Sequence, residues 1–292
     1  MTPSENDSDR SRPVRRRALV IGGVAAAAGA TAFGVGAVIG SGRGAEPSAG
    51  PTGPATTPAE TPTASASATA TPSEATTPTP TPTPGIDLAA NPVDDPASVW
   101  VVVNKLRTLS PVDYVPADLV YPDVSYVNRQ PMRQATADAL VSLFSAASTE
   151  AGLSLAVQSA YRSYDTQVSV YAGWVSTRGQ AGADATSARP GHSEHQTGWA
   201  VDVVGASGAC ALEICWGDTA EGQWVGANAH RFGFLVRYKP DATPITGYES
   251  EPYHLRYVGT ELAQYLHDQG IETLERLFGL PDAPDYAAGT TG

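Results

Sequence analysis

The stretch Ser193-Glu194-His195-Gln196-Thr197-Gly198-Trp199-Ala200-Val201-Asp202 carries an imidazole and a carboxylate seven residues apart, with a glycine between them. From Gly198 to Val204 the residues alternate as in a strand, so Ala200, Asp202 and Val204 share a face. Asp202 then sits between valines, where an unpaired carboxylate is costly. A metal ion would satisfy it, and so would a buried Arg or His. A second segment, Glu251-Pro252-Tyr253-His254, adds a carboxylate and an imidazole just before another strand. In a regular strand a spacing of three sends side chains to opposite faces. Pro252 cannot donate to a ladder, and a break there lets both turn toward one site. Upstream, Ser159-Ala160-Tyr161-Arg162-Ser163 puts a permanent cation at a strand end. Two imidazoles and a carboxylate suit a catalytic zinc with its fourth position left for water. A nearby Glu can take that water's proton, and an Arg such as Arg162 can grip an anionic substrate group. Each pair alone is weak evidence; together they point to metal-assisted peptide hydrolysis.

Around these segments helix and strand patterns are interleaved. Val99–Val103 reads as a short buried strand. Ala137, Leu140, Val141, Phe144 and Ala147 recur at helical spacing, with Gly152 placed to stop the helix. Leu153–Val157 reads as a strand. Asp165 opens a helix that carries Val168, Tyr171 and Val175 on one face and ends at Gly179. Asp218 with Glu221 resembles a capping box for a helix that runs to about Phe232, with Gly233 at its end. Phe234–Tyr238 and Tyr253–Val258 read as strands, Thr260–Gln269 as a closing helix, and Leu274–Phe278 as a short apolar one. No regular βαβ repeat emerges, so the fold class is α+β.

The chain has 292 residues and a formal charge of −12; from Asp87 onward 24 acids face 12 bases. That balance argues against nucleic acid or an anionic membrane surface as the main partner. Arg15-Arg16-Arg17 precedes an uncharged Ala/Gly-rich run, Ala18–Gly40, long enough to cross a bilayer at about 20 residues. Residues 1–43 therefore read as a twin-arginine-type export signal or a retained anchor. Residues 44–86, rich in Pro, Thr, Ser and Ala, read as a disordered linker. The folded domain is 87–281, with a flexible tail at 282–292. Either form of the N-terminus puts the body outside the cytoplasm. In that oxidising setting Cys210 and Cys215 form a local disulfide; a zinc-ligating pair is the alternative, and no second Cys pair exists to complete it. His230, His267 and Asp94-Asp95 read as surface or packing residues. The five tryptophans read mostly as core, and Trp199, beside the metal motif, is also a candidate to contact substrate.

From about Val101 to Gly259 the chain resembles the VanY-type D-alanyl-D-alanine carboxypeptidases, which are zinc peptidases. The likeness is carried by Val103-Asn104-Lys105, Tyr161-Arg162-Ser163 with Gln167, Ser187-Ala188-Arg189-Pro190-Gly191, Ser193 to Asp202, Phe232-Gly233-Phe234 and Glu251-Pro252-Tyr253-His254. It implies a single compact zinc-peptidase domain of the hedgehog/DD-peptidase kind. It implies one Zn2+ per chain on His195, Asp202 and His254, Glu251 as the catalytic carboxylate, and Arg162 as the arginine for the substrate carboxylate. Gln167, Ser187 and Ser193 are candidate further substrate contacts. His192 falls at a position expected to vary and is a candidate to line the pocket; Tyr253 stands where the family often has Trp. The implied activity is removal of the C-terminal D-Ala from peptidoglycan stem peptides, by a monomer that meets the membrane only through an uncleaved N-terminal segment. The alternatives are an L,D-carboxypeptidase, a D,D-dipeptidase, a wall endopeptidase, or a non-catalytic wall-binding domain. Retention of all three ligands and Glu251 argues against the last.

Overall fold

A four-stranded antiparallel sheet, in the order β3-β4-β6-β5, is the frame on which the site is built. The strands are β3 (Leu155–Ser159), β4 (Ala200–Gly205), β5 (Phe234–Tyr238) and β6 (Glu251–Tyr257). Two short strands, β1 (Leu119–Val120) and β2 (Met132–Arg133), pair separately. This is a computed structural model, which describes residues 85–289. The export or anchor segment and nearly all of the expected linker lie outside the described residues. Among the described residues no helix is long and apolar enough to cross a membrane.

Strand alternation sorts the sheet into two faces. Val201 and Val203 of β4 and Leu255 of β6 turn to a core that also holds Leu140, Leu143 and Ala147 of helix α1 (Gln134–Ala151) and Val225 of helix α3 (Ala220–Asn228). Full burial of a Leu or Val side chain contributes about 1.5–3 kcal/mol, so this cluster is a main source of stability. Asp202 belongs to the opposite face. It pairs across the sheet with Ser159 on β3 and His254 on β6, which sets three polar residues in one row. A one-turn helix, α4 (Thr243–Thr246), precedes β6. A second cluster packs Trp100, Val102 and Leu235 against Leu262 and Leu266 of α5 (Thr260–Gln269) and Leu274 of α6 (Leu274–Leu277).

The α+β expectation is met, and α1 ends at Gly152 in the left-handed conformation, as its position indicates. Helix α2 (Tyr164–Thr186) extends past the expected stop; Gly179, at φ 70°, interrupts it rather than ending it. Val168 on α2 is 43% exposed, so the anticipated apolar face is not continuous.

Three local expectations are corrected. Val99–Val103 is buried but is not a strand: Val102 N–H bonds to Val93, and the carbonyls of Val99 and Val101 accept from Arg256. A side chain from β6 thus takes the place of a ladder partner. The cap of α3 is Thr219, whose hydroxyl accepts from Gly222 N–H, not Asp218. Pro252 lies inside β6 rather than before it. Val236 pairs with Leu255 whereas Tyr238 pairs with Glu251, so β6 bulges by two residues around Pro252 and Tyr253.

Candidate active site

The β6 bulge is what lets Glu251 and His254, three residues apart, serve one cleft. His254 Nδ1 lies 3.0 Å from Asp202 Oδ1 and 3.7 Å from Glu251 Oε2. His195 comes from a 3-10 turn, Glu194–Thr197, ended by Gly198 at φ 72°. A side chain at Gly198 would meet Arg133 Cγ at 2.7 Å, so both conformation and space favour glycine there. His195 Nδ1 is bonded to the carbonyl of Ala160 at 2.7 Å, which leaves Nε2 facing Asp202 Oδ2 at 3.2 Å. His195, Asp202 and His254 are all buried, and each offers a ligand atom within 4.8 Å of the others. A group of two imidazole nitrogens and a carboxylate oxygen fits a divalent cation of the zinc type.

The electrostatics of the site are extreme because its groups are buried together. Burial holds His195 below the usual imidazole range, which suits a neutral ligand. Burial also opposes charge on His254, but hydrogen bonds to Asp202 and Glu194 outweigh it and push its pKa up to about 10. Burial lifts the Glu251 carboxyl to about 8. Asp202 is held well below the usual carboxylate range: the two imidazoles outweigh the burial penalty.

A cleft of about 480 Å³ runs along these groups. Arg162 lines it, half-buried, with Nη1 donating to Gln167 Oε1 at 2.9 Å and Nη2 to Ser159 Oγ at 3.2 Å. No carboxylate among the described residues lies within 4.0 Å of its guanidinium. The backbone N–H of Arg162 bonds to the carbonyl of His195 at 3.2 Å, coupling the cation to the His195 turn. Gln167 also donates to the Ala188 carbonyl at 2.6 Å and to Ser187 Oγ at 3.3 Å, so it braces Arg162 from behind. Ser187, Ser193 and Tyr253 line the same cleft.

Two candidate pocket residues lie elsewhere, and the core reading of Trp199 is the one that holds. Trp199 is buried, stacked on Tyr257 at 5.8 Å with Arg133 over its ring. Strand alternation turns it away from Asp202. His192 is bonded through Nδ1 to the Asn104 carbonyl and packs edge-on against Tyr286. His267 is on the surface as expected, stacked on His230, and Asp94 pairs with Arg107. Cys210 and Cys215 are bridged, and their loop carries Leu212 and Ile214 to the edge of the cleft.

One buried acid escaped sequence reasoning. Glu194 accepts from Arg237 and Arg256 and meets His254 Nε2 at 3.2 Å. The available signal was two arginines inside the apolar strand runs Phe234–Tyr238 and Glu251–Tyr257, which require a buried partner.

The YodJ protein of Bacillus subtilis (strain 168) is 42% identical to the chain over 191 residues, 64% of this chain and 69% of that protein. The family model described as VanY, D-alanyl-D-alanine carboxypeptidase, matches residues 129–260. The chain belongs to the VanY family. Its matched span runs from the approach to α1 to the start of α5 and contains every member of the cleft named above. Among solved structures, the LdcB LD-carboxypeptidase is similar at 42% identity over 63% of this chain and 87% of its own, with a TM-score of 0.59. A vancomycin-resistance D,D-pentapeptidase VanY, solved in complex with Zn(II), is similar at 30% identity over 61% of this chain and 97% of its own, TM-score 0.51. This VanY-family chain is therefore a peptide-bond hydrolase of the carboxypeptidase class.

Proposed function

We propose that the enzyme is a zinc-dependent D-alanyl-D-alanine carboxypeptidase that removes the C-terminal D-Ala from peptidoglycan stem peptides outside the cytoplasm. The observation that carries this is the convergence in one cleft of three candidate ligand atoms, a carboxylate 3.7 Å from His254, and a guanidinium with no carboxylate within 4.0 Å among the described residues. The Zn(II) complex of the VanY relative supports the choice of metal. The disulfide supports an oxidising location. The site is complete within one chain, which supports action as a monomer.

His195 Nε2, Asp202 and His254 Nδ1 would hold the metal. Bound there, zinc lowers the pKa of a coordinated water and polarises the scissile carbonyl. Glu251 accepts the water proton and returns it to the leaving amine. Burial makes Glu251 a stronger base than a free carboxyl, so it takes up the proton that it later donates. On metal binding the Nδ1 proton of His254 has to leave, whereas Nε2–H stays directed at Glu194. Arg162 takes the terminal carboxylate in a two-pronged pair, with Gln167 and Ser159 fixing its plane. That grip selects a chain end over an internal bond.

A second reading has its own observation: the LdcB LD-carboxypeptidase shares more identity with the chain than the D,D-pentapeptidase does. Digestion of defined stems separates the two. A D,D-enzyme releases D-alanine from a pentapeptide stem ending in D-Ala-D-Ala. Release from tetrapeptide but not pentapeptide stems would establish the L,D specificity instead.

A further inference from the structure

We infer that Glu194 is a positioning residue for the metal centre: it holds the Nε2–H of His254 and so keeps Nδ1 turned toward Asp202. The inference rests on the proposed metal site and adds a residue to it. Glu194 is 2% exposed, and its two oxygens have separate partners. Oε1 accepts from Arg237 Nε at 2.9 Å and from Arg256 Nη1 at 3.0 Å. Oε2 faces His254 Nε2 at 3.2 Å. Both arginines are fully buried and anchored at their far ends. Arg237 forms a two-pronged pair with Glu275, at 2.7 and 3.0 Å. Arg256 donates to the carbonyls of Val99 and Val101, at 3.0 and 2.8 Å. The carboxylate therefore cannot swing, and its free oxygen fixes the histidine ring.

An ionised carboxylate only accepts, so the nitrogen facing it must carry hydrogen. That assigns Nε2–H and leaves Nδ1 for the ligand cluster. The second histidine is arranged likewise: His195 Nδ1 is tied to the Ala160 carbonyl, and Nε2 points into the site. The two rings meet edge-on, 5.0 Å apart, each held from outside the cluster. Two carboxylates and two guanidiniums already balance in charge without His254. The contact to Nε2 is thus additional to what the ion cluster needs for itself. Partners of this kind outside the ligand set typically contribute 10–100-fold in metal affinity.

The test compares zinc dissociation constants, by chelator competition, in the full-length chain and in Glu194→Gln and Glu275→Gln. Glu194→Gln keeps shape and one acceptor but removes the charge. Its expected effect is a roughly 10–100-fold weaker zinc affinity, with a lower metal-free thermal transition because Arg256 loses its buried counter-charge. Glu275→Gln perturbs the same ion cluster without touching His254; it should lower the thermal transition and leave zinc affinity unchanged. Equal affinity in Glu194→Gln and the unaltered chain overturns the inference, as does an equal loss in both variants. If Glu194→Gln does not fold, nitrogen-15 histidine NMR of the zinc-loaded unaltered chain decides. A metal-bound Nδ1 with a strongly hydrogen-bonded Nε2–H on His254 supports the inference; its absence overturns it. An unaltered chain that binds no zinc contradicts the proposed metal site itself, a distinct result.

Discussion

Glu251 is the side chain whose removal separates chemistry from metal binding. It stands 3.7 Å from His254 Nδ1 yet is not in the close ligand group. Glu251→Gln is expected to keep its zinc and to lose at least about 100-fold in turnover, the lower range for a positioned base; elemental analysis beside a D-alanine release assay checks both halves. Arg162 makes a second residue-scale prediction. A C-terminally amidated stem cannot form the charged two-pronged pair and should lose about 1.5–3 kcal/mol of transition-state binding per charge-assisted bond. Arg162→Lys should discriminate poorly between acid and amide, since an ammonium lacks the planar fork. Equal kcat/KM for free-acid and amidated stems in the unaltered enzyme would point to an endopeptidase. At this scale the convergence of His195, Asp202, His254, Glu251 and Arg162 in one cleft was legible because motif and chemistry agreed at each. Glu194 was not, because a lone acid beside a histidine in a turn reads as solvated. Its buried partners, Arg237 and Arg256, lie 43 and 62 residues further along the chain.

Among the elements, β6 and the bridged loop bear most on function. The bulge around Pro252 was foreseeable in kind, since proline cannot serve a ladder, but its two-residue size depends on pairing with β5. The Val99–Val103 run misled for a related reason. Apolar alternation signals burial, and only the tertiary structure shows that Arg256 rather than a strand satisfies its carbonyls. The loop closed by Cys210 and Cys215 holds two non-glycine residues in the left-handed region, Cys210 at φ 53° and Leu212 at φ 58°. Such positions cost about 1–3 kcal/mol each and persist when their surroundings fix them. So short a loop contributes only about 2 kcal/mol by chain entropy, which alone argues that reduction matters little for activity. Its place beside the cleft, with Leu212 and Ile214 on the edge, argues for an effect on substrate binding. Mild reduction is expected to raise KM several-fold with kcat nearly constant. Kinetics with and without reductant check this, and an unchanged KM would show that the loop holds its shape without the bridge.

For the molecule as a whole, the buried ion cluster ties the sheet to the C-terminal helices: Arg237 on β5 reaches Glu275 on α6. Burial alone would raise the Glu275 carboxyl, but Arg237 outweighs it and leaves the pKa below its ordinary 4.5. A carboxyl lowered in the folded state stabilises the fold above its unfolded value, and that contribution is lost as pH falls through the folded value. The urea midpoint of the metal-free protein should therefore drop below about pH 4.5, less steeply in Glu275→Gln; a midpoint independent of pH in that range would show the pair to be neutral to stability. The α+β class and the helix and strand order were legible from periodicity and the VanY likeness. The role of this cluster was not, because it links residues distant in sequence. Everything proposed for catalysis rests on one claim, that His195, Asp202 and His254 hold a zinc ion. The most direct measurement is elemental analysis of purified active enzyme and of His254→Ala. About one zinc per chain in the first and essentially none in the folded variant is the predicted result; active enzyme without stoichiometric metal would contradict it.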